Sequence, residues 1–264
     1  MVESVITTRK EDCLLIQLNR PTKHNAFTID MHDALLNVIR GISSDPGIRC
    51  VILTGVGKAF CAGQDLVEAS TPSGPIVSLG DHLDKHYNPL ILALRSLPVP
   101  VIAAVNGVAA GAGASLALAC DIVIATRSAR FVMAFAKLGL IPDAGATWLL
   151  PRLVGPMRAR AMILLGEAVD AQTAKDWGLV WSLFDDDADL MSGAMKLAER
   201  LVAMPASALS FSKQALNCSS MTSLDDQLNI ERDLQSRAGD TPNYREAVAA
   251  FLEGREPQFS GRQR

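Results

Sequence analysis

No charged residue lies between Arg95 and Asp121, so this stretch either crosses a membrane or is buried inside a protein. Prolines, an asparagine and glycines interrupt it, namely Pro98, Pro100, Asn106, Gly107, Gly111 and Gly113. A lipid-facing helix fits poorly, because interrupted backbone leaves polar groups unpaired in hydrocarbon. We therefore expect a buried strand, a glycine-rich turn and a buried helix, and no membrane partner.

Short apolar runs closed by turn residues predict the strands of the chain. They lie at residues 13–18, 50–54, 101–105 and 121–125, with a weaker run at 179–184. Continuous apolar runs are typical of parallel strands that are covered on both faces. Helical patterns lie between them at residues 29–42, with Thr28 as N-cap, at 84–97 and at 113–120. This alternation predicts an α/β fold.

The last third of the chain lacks strand patterns. Residues 191–203, 206–217, 224–238 and 244–253 all have helical patterns. We therefore expect residues 1–190 to form the core that carries the site and residues 191–264 to form a helical oligomerisation subdomain. Residues 70–79, rich in Pro, Gly and Ser, predict a mobile loop.

Charge and cysteine usage exclude several classes of function. A formal net charge of −3 and a pI near 5.8 argue against nucleic acid as a partner. The five cysteines are scattered without a CxxC pair, and the four histidines form no ligand pattern, so we expect neither disulfides nor a metal. Reduced thiols and an N-terminus without a signal-peptide pattern predict a cytoplasmic protein.

Two glycine-rich stretches are candidate ligand-binding loops. Residues 53–66 (LTGVGKAFCAGQDL) run from a predicted strand into a loop where free backbone N–H groups could bind an anion. Residues 106–116 (NGVAAGAGASL) open a predicted helix whose first N–H groups lack partners. On the local pattern alone, a strand-ending turn is the simpler explanation of the first stretch, and close helix–strand packing explains the second as well as ligand binding does.

Asp143 is the only acidic residue between Asp121 and Glu167, in the apolar stretch LGLIPDAGATW. It could be the N-cap of the helix that leads to Leu150. It could instead be a general base, because poor solvation raises the pKa of a carboxyl group. The local pattern leaves both interpretations open.

Together these stretches resemble the crotonase (enoyl-CoA hydratase/isomerase) superfamily. The matching stretches are RPTKHNAF (20–27), KAFCAGQDL (58–66), AAVNGVAAGAG (103–113), DIVIA (121–125) and GLIPDAGAT (139–147). The resemblance implies a superhelix of ββα units, followed by helices that assemble trimers or dimers of trimers. It also implies an acyl-CoA thioester substrate and no cofactor, since coenzyme A is part of the substrate.

The resemblance further implies an oxyanion hole made by the backbone N–H groups of Ala62 and Ala112. The two acids that a hydratase uses on water would lie at Ser115 and Phe135, and neither side chain can act as acid or base. Asp143 lies where isomerases of the family carry an acid. We therefore expect an isomerase in which Asp143 moves a proton between two carbons.

Further stretches resemble family members that isomerise ring epoxides of arylacetyl-CoA thioesters, although Ala146 stands where those members carry Gly. These stretches are GQDL (63–66), HYNPL (86–90), FVMAFAKLGLIPD (131–143) and TWLLPR (147–152). The resemblance implies that several residues contact the substrate or coenzyme A, and these are Lys23, His24, Lys58, Ala62, Gly63, Gln64, Asp65, Leu66 and Phe135.

Three alternatives remain open. A dehalogenase of the 4-chlorobenzoyl-CoA type would use Asp143 as a nucleophile, with His86 as a candidate base. A hydratase of low activity is the second alternative. The third is RNA binding, which some members of the superfamily show, although this chain has no basic stripe.

Overall fold

The computed structural model describes residues 3–70 and 78–259, apart from the side chains of residues 69 and 70. Most of the loop predicted at residues 70–79 therefore lies outside the described residues.

The described residues form ten strands, of which six build the main sheet. The strands are β1 (Val5–Lys10), β2 (Cys13–Leu18), β3 (Cys50–Gly55), β4 (Ala59–Cys61), β5 (Val101–Val105), β6 (Val108–Ala110), β7 (Ile122–Thr126), β8 (Arg130–Val132), β9 (Ala168–Asp170) and β10 (Ser182–Phe184). The main sheet has the order β1-β2-β3-β5-β7-β10, parallel except for the β1–β2 hairpin. Strands β3 and β5 are buried along their whole length, which explains their unbroken apolar sequences.

The described residues also form twelve α-helices. They are α1 (Ile29–Ser44), α2 (Leu66–Ser70), α3 (Leu79–His82), α4 (Asn88–Ser96), α5 (Ala112–Ala119), α6 (Ala146–Val154), α7 (Pro156–Leu165), α8 (Ala171–Asp176), α9 (Asp187–Val202), α10 (Ala206–Ser219), α11 (Leu224–Gly239) and α12 (Pro242–Glu253). Thr28 caps α1 as predicted, since its side chain accepts a hydrogen bond from the Met31 N–H at 3.3 Å. A π-helical turn, Leu83–Tyr87, interrupts the helix predicted at residues 84–97.

A second sheet, which the sequence did not predict, places the site. It has the order β4-β6-β8-β9, and β4, β6 and β8 run parallel. Because the carboxyl ends of parallel strands meet at one edge, the chain leaves these three strands on the same side. The Gly63 loop follows β4, the start of α5 follows β6, and a 3-10 turn (Ala134–Leu138) follows β8. The second sheet therefore gathers the three stretches that sequence analysis singled out.

The C-terminal third is helical as predicted. Helix α9 packs through Leu190, Ala194 and Ala198 against a separate core cluster on the main sheet, which includes Ile52 and Ile102. The first helix of the predicted subdomain is thus part of the sheet's packing, while the division at residue 190 stays a prediction. No helix in residues 3–70 or 78–259 is long and apolar enough to cross a bilayer.

Helices α11 and α12 leave apolar side chains uncovered in the single chain. Phe251 is 85% exposed, and Leu228 and Val248 are exposed to 55% and 40%. Leu234 on α11 is only 7% exposed, so it is buried within the subunit.

Candidate active site

The loop after β4 lies against the turn that starts α5. Gly63 has φ +90°, and a Cβ there would lie 2.9 Å from the Ala110 carbonyl oxygen and 3.5 Å from the Ala112 nitrogen. A Cβ on Gly113 would overlap the Cys61 carbonyl group. Glycine is therefore required at both positions for the two backbone segments to approach so closely.

The backbone N–H groups at this junction differ in availability. The Ala62 N–H donates to the His24 carbonyl oxygen at 2.9 Å, so it is already used within the fold. The N–H groups of Gln64 and Ala112 take part in no hydrogen bond within the described residues. This corrects the prediction for Ala62, since Gln64 offers the free amide and Ala112 keeps its predicted availability. The sequence could not reveal this, because the His24 contact joins distant parts of the chain.

The shape of this loop is stabilised by hydrogen bonds from Arg20, Asn25 and Asp65. The Arg20 Nη2 lies 2.8 Å from the Asp65 Oδ2, and Asn25 Nδ2 donates to the carbonyl oxygens of Val56 and Ala59 at 3.0 and 2.8 Å. The Asp65 Oδ1 accepts from the Val67 N–H at 3.1 Å, and hydrogen bonding to Arg20 lowers the pKa of Asp65. We therefore assign Asp65 to positioning the loop, which differs from the substrate contact predicted for it.

The remaining predicted contacts are spread around the loop. Lys23 and His24 are exposed on the segment that pairs with it, and Leu66 is 53% exposed at the start of α2. Lys58 is exposed and lines a cavity together with Gln17, Thr54, Asn106 and Asp187. Contact of these residues with coenzyme A stays a prediction.

Asp143 lies in the turn before α6. Helix α6 has Gly145 as its N-cap, without a side-chain hydrogen bond, and the Asp143 carbonyl oxygen accepts from the Ala146 N–H at 3.0 Å. The N-cap interpretation of the Asp143 side chain was therefore wrong. Its Oδ1 is buried and has no hydrogen-bond partner among the described residues. Burial raises the pKa of Asp143 to about 6.

The two positions where a hydratase would carry acids hold other groups. The Ser115 hydroxyl is buried and donates to the Gly111 carbonyl oxygen at 3.3 Å. Phe135 is buried, and its ring tip would lie 3.7 Å from a Cβ on Gly111. The aromatic ring therefore lies beside the turn that leads into α5, where it makes the surroundings of the site apolar.

Tyr87 and His82 belong to the site, and sequence analysis missed both. The Tyr87 hydroxyl donates to the Gln64 Oε1 at 2.7 Å, and the His82 Nε2 lies 3.2 Å from the same oxygen. Burial, followed by the charge of Asp143, raises the pKa of Tyr87. The match at HYNPL contains Tyr87, but only the fold shows which residue it contacts.

Three histidine rings, His32, His82 and His86, form a cluster behind Tyr87, with ring centroids 4.9 to 6.1 Å apart. Burial lowers the pKa of His32 to about 3, so that ring is neutral at physiological pH. In the described parts of the chain, no three His, Cys, Asp or Glu side chains are arranged to hold a metal ion.

The enoyl-CoA hydratase/isomerase family model matches residues 8–262, and the chain belongs to this family. An Escherichia coli (strain K12) protein named 1,2-epoxyphenylacetyl-CoA isomerase is 49% identical over 263 residues, covering 99% of this chain and 100% of that protein. The 2,3-dehydroadipyl-CoA hydratase of the same organism is 37% identical, with 99% and 100% covered. An enoyl-CoA hydratase crystal structure from Bacillus anthracis superposes with a TM-score of 0.92 at 33% identity, covering 98% and 100%. The predicted crotonase fold is thereby confirmed.

Proposed function

We propose that this protein is an acyl-CoA isomerase that acts on 2-(1,2-epoxy-1,2-dihydrophenyl)acetyl-CoA, and also moves double bonds in open-chain enoyl-CoA thioesters. One observation carries the proposal: the Oδ1 atom of Asp143 is buried without a hydrogen-bond partner among the described residues, in a site whose hydratase positions hold Ser115 and Phe135. The 49% identity to a protein named 1,2-epoxyphenylacetyl-CoA isomerase supports the choice of acyl group.

In this proposal the thioester oxygen binds to the N–H groups of Gln64 and Ala112. Both donors are fixed by the fold before the substrate arrives, and the Ala112 N–H lies at the positive end of the α5 dipole. As the substrate loses a proton from the carbon next to the thioester, negative charge develops on that oxygen. A preorganised donor of this kind contributes about 3–4 kcal/mol in the transition state.

Asp143 then performs the proton transfer. Its carboxylate takes the proton from the carbon alpha to the thioester and returns it to a carbon further along the conjugated system. The substrate loses no atom and gains none, so the reaction requires neither water nor a redox partner. A pKa near 6 suits this role, because the group is ionised at neutral pH and is still a stronger base than an ordinary carboxylate.

The quaternary structure and location are parts of the same proposal. The exposed Leu228, Val248 and Phe251 support assembly into trimers or dimers of trimers, since such apolar surface is rarely left in water. The five cysteines are all free, which is compatible with the cytoplasm.

A substrate panel tests the proposed function. The purified protein is incubated with the ring-epoxide thioester, a straight-chain 3-enoyl-CoA, crotonyl-CoA and 4-chlorobenzoyl-CoA, and the products are identified by mass and NMR. We expect products of unchanged mass from the first two substrates. Hydration of crotonyl-CoA as the main activity would support a hydratase instead, and release of chloride would support the dehalogenase.

A further inference from the structure

The side-chain amide of Gln64 is held in one orientation. Its Oε1 accepts from the Tyr87 hydroxyl at 2.7 Å and lies 3.2 Å from the His82 Nε2. Two contacts on one oxygen fix the plane of the amide, so the Nε2 is directed away from both partners. The Gln64 Nε2 has no hydrogen-bond partner among the described residues. It is also accessible, since it is absent from the buried side-chain atoms without a partner.

The surroundings of Tyr87 determine which end of the amide it contacts. Tyr87 is 3% exposed, and burial raises its pKa, so the phenol keeps its proton. A buried hydroxyl proton needs an acceptor, and the carbonyl oxygen of Gln64 is the acceptor within reach. Burial, followed by the charge of His86, lowers the pKa of His82, and in the tautomer that carries its proton on Nε2 the ring supplies a second donor to the same oxygen.

The Tyr87 ring that holds the Gln64 amide is itself fixed by aromatic packing. The Tyr87 ring stands edge-on to the rings of Phe27 and His32, with centroids 5.8 and 4.2 Å apart, and Phe27 stacks on His32 at 4.4 Å. Phe27 and His32 are each 1% exposed. Tyr87 therefore has little freedom to turn, and the Gln64 amide that it holds is preorganised in the same way.

The position of this amide relates it to the acyl group of a bound substrate. Gln64 offers a free backbone N–H to the thioester oxygen, and the loop that carries Gln64 lies against the start of α5, where the Ala112 N–H is also free. An acyl group whose thioester oxygen binds to this N–H therefore begins beside residue 64, which also carries the free side-chain amide. A pure hydrocarbon chain offers no acceptor to this N–H₂ donor, whereas an oxygen atom on the acyl group does.

We propose that the Gln64 Nε2 donates a hydrogen bond to an oxygen atom carried by the acyl group, so that the site prefers oxygenated acyl-CoA thioesters. Tyr87 and His82 are positioning residues that act through Gln64. This inference rests on the proposed function and adds the means by which an epoxide or oxepin oxygen is recognised. Loss of such a bond leaves a preorganised donor unpaired, which penalises the hydrocarbon analogue.

Binding of two inert ligands tests the proposal without any turnover. The ligands are 2-hydroxyphenylacetyl-CoA and phenylacetyl-CoA, which differ by one oxygen, and calorimetry gives the ratio of their Kd values. We expect the wild-type protein to prefer the hydroxylated ligand by about 3–10-fold, the usual value of one hydrogen bond. Gln64→Met keeps the backbone N–H and the length of the side chain but removes the donor, and should abolish this preference.

Tyr87→Phe serves as the second variant, because it removes only the hydroxyl that holds the amide. It should reduce the preference while weakening the phenylacetyl-CoA ligand less than the hydroxylated one. Equal weakening of both ligands would show a merely structural role for Tyr87. A wild-type ratio near one, or a preference that survives in Gln64→Met, would overturn the proposal. A preserved preference in a protein that converts no ring epoxide would contradict the proposed function alone.

Discussion

The Ala62 N–H donates to the carbonyl oxygen of His24 at 2.9 Å, which ties the loop after β4 to the segment that precedes α1. This bond removes Ala62 from the set of free donors and leaves Gln64, two residues later, facing the start of α5. The position of the free Gln64 N–H therefore depends on the shape of the loop around Gly63.

Gly63→Ala tests that shape. A Cβ at φ +90° is strained and would lie 2.9 Å from the Ala110 carbonyl oxygen, so the loop must move away from Ala112. We expect kcat to fall by about 100-fold or more, as for the loss of an oxyanion donor. Gly254→Ala is the matched control, since Gly254 also has positive φ but no atom within 4 Å of its Cβ position. Equal activity of both variants would contradict the assignment of the Gln64 amide.

The pH dependence of the reaction reports on Asp143. Burial raises the pKa of this carboxyl group to about 6, and only the ionised form can accept a proton. We therefore expect kcat/KM to rise tenfold per pH unit below about pH 6 and to level off above it. Rates measured with a 3-enoyl-CoA between pH 4.5 and 8 would show this, and a rate that stays flat across that range would argue against Asp143 as the base.

Ser115 and Phe135 stand where a hydratase would carry its two acids, which predicts weak hydratase activity. With Ser115 bonded to Gly111 and Phe135 buried, no acid is available at either place to orient and deprotonate water. We expect negligible hydration of crotonyl-CoA. Hydration would be measured as a loss of the absorbance of the conjugated thioester. A turnover in the ordinary enzyme range of roughly 1–1000 per second would contradict the isomerase assignment.

The exposed C-terminal side chains predict an oligomer. Light scattering at micromolar concentration should give three or six times the 28.2 kDa subunit mass. Phe251→Glu places a charge on a residue that is 85% exposed in the single chain, and it should shift the protein toward smaller species. A wild-type protein with the mass of one subunit would show that these apolar side chains serve another purpose.

The sequence predicted the main sheet better than the small one, for a physical reason. Strands β3 and β5 are buried on both faces, and burial demands continuous apolar residues that a sequence displays plainly. Strand β1 was missed because most of its residues are exposed, and β4, β6 and β8 because three residues are too few for a pattern. These short strands exist only through pairing with one another.

The site was predictable where one residue carries the chemistry and not where two distant residues share it. Asp143 stands out as an isolated acid in an apolar stretch. The sequence did not show that Asp143 lies outside the helix cap. That depends on the turn at Ala144 and Gly145, both of which have positive φ. The hydrogen bond between Tyr87 and Gln64 joins residues 23 positions apart, and no local sequence pattern predicts it.

Asp143→Asn tests whether Asp143 is the base, because the substitution removes the carboxylate and nearly keeps the shape of the side chain. Asp189→Asn is the control, since Asp189 is exposed on the helix that covers the other sheet face. The pKa of Asp143 is about 6 in the folded protein and near 3.8 in the unfolded chain, so ionisation of this group favours unfolding. The free energy of unfolding therefore falls as the pH rises from about 3.8 to about 6, by roughly 3 kcal/mol at neutral pH. The Asn variant should therefore melt no lower than wild type at pH 8.

The decisive measurement is kcat of Asp143→Asn on a 3-enoyl-CoA, with deuterium uptake from D₂O at the carbons flanking the shifted bond. We predict a fall in kcat of about 10²–10⁴-fold, little change in KM, and no deuterium uptake. The Asp189→Asn control should match wild type in all three. A folded Asp143→Asn protein that isomerises its substrate at the wild-type rate and still takes up deuterium would contradict the account.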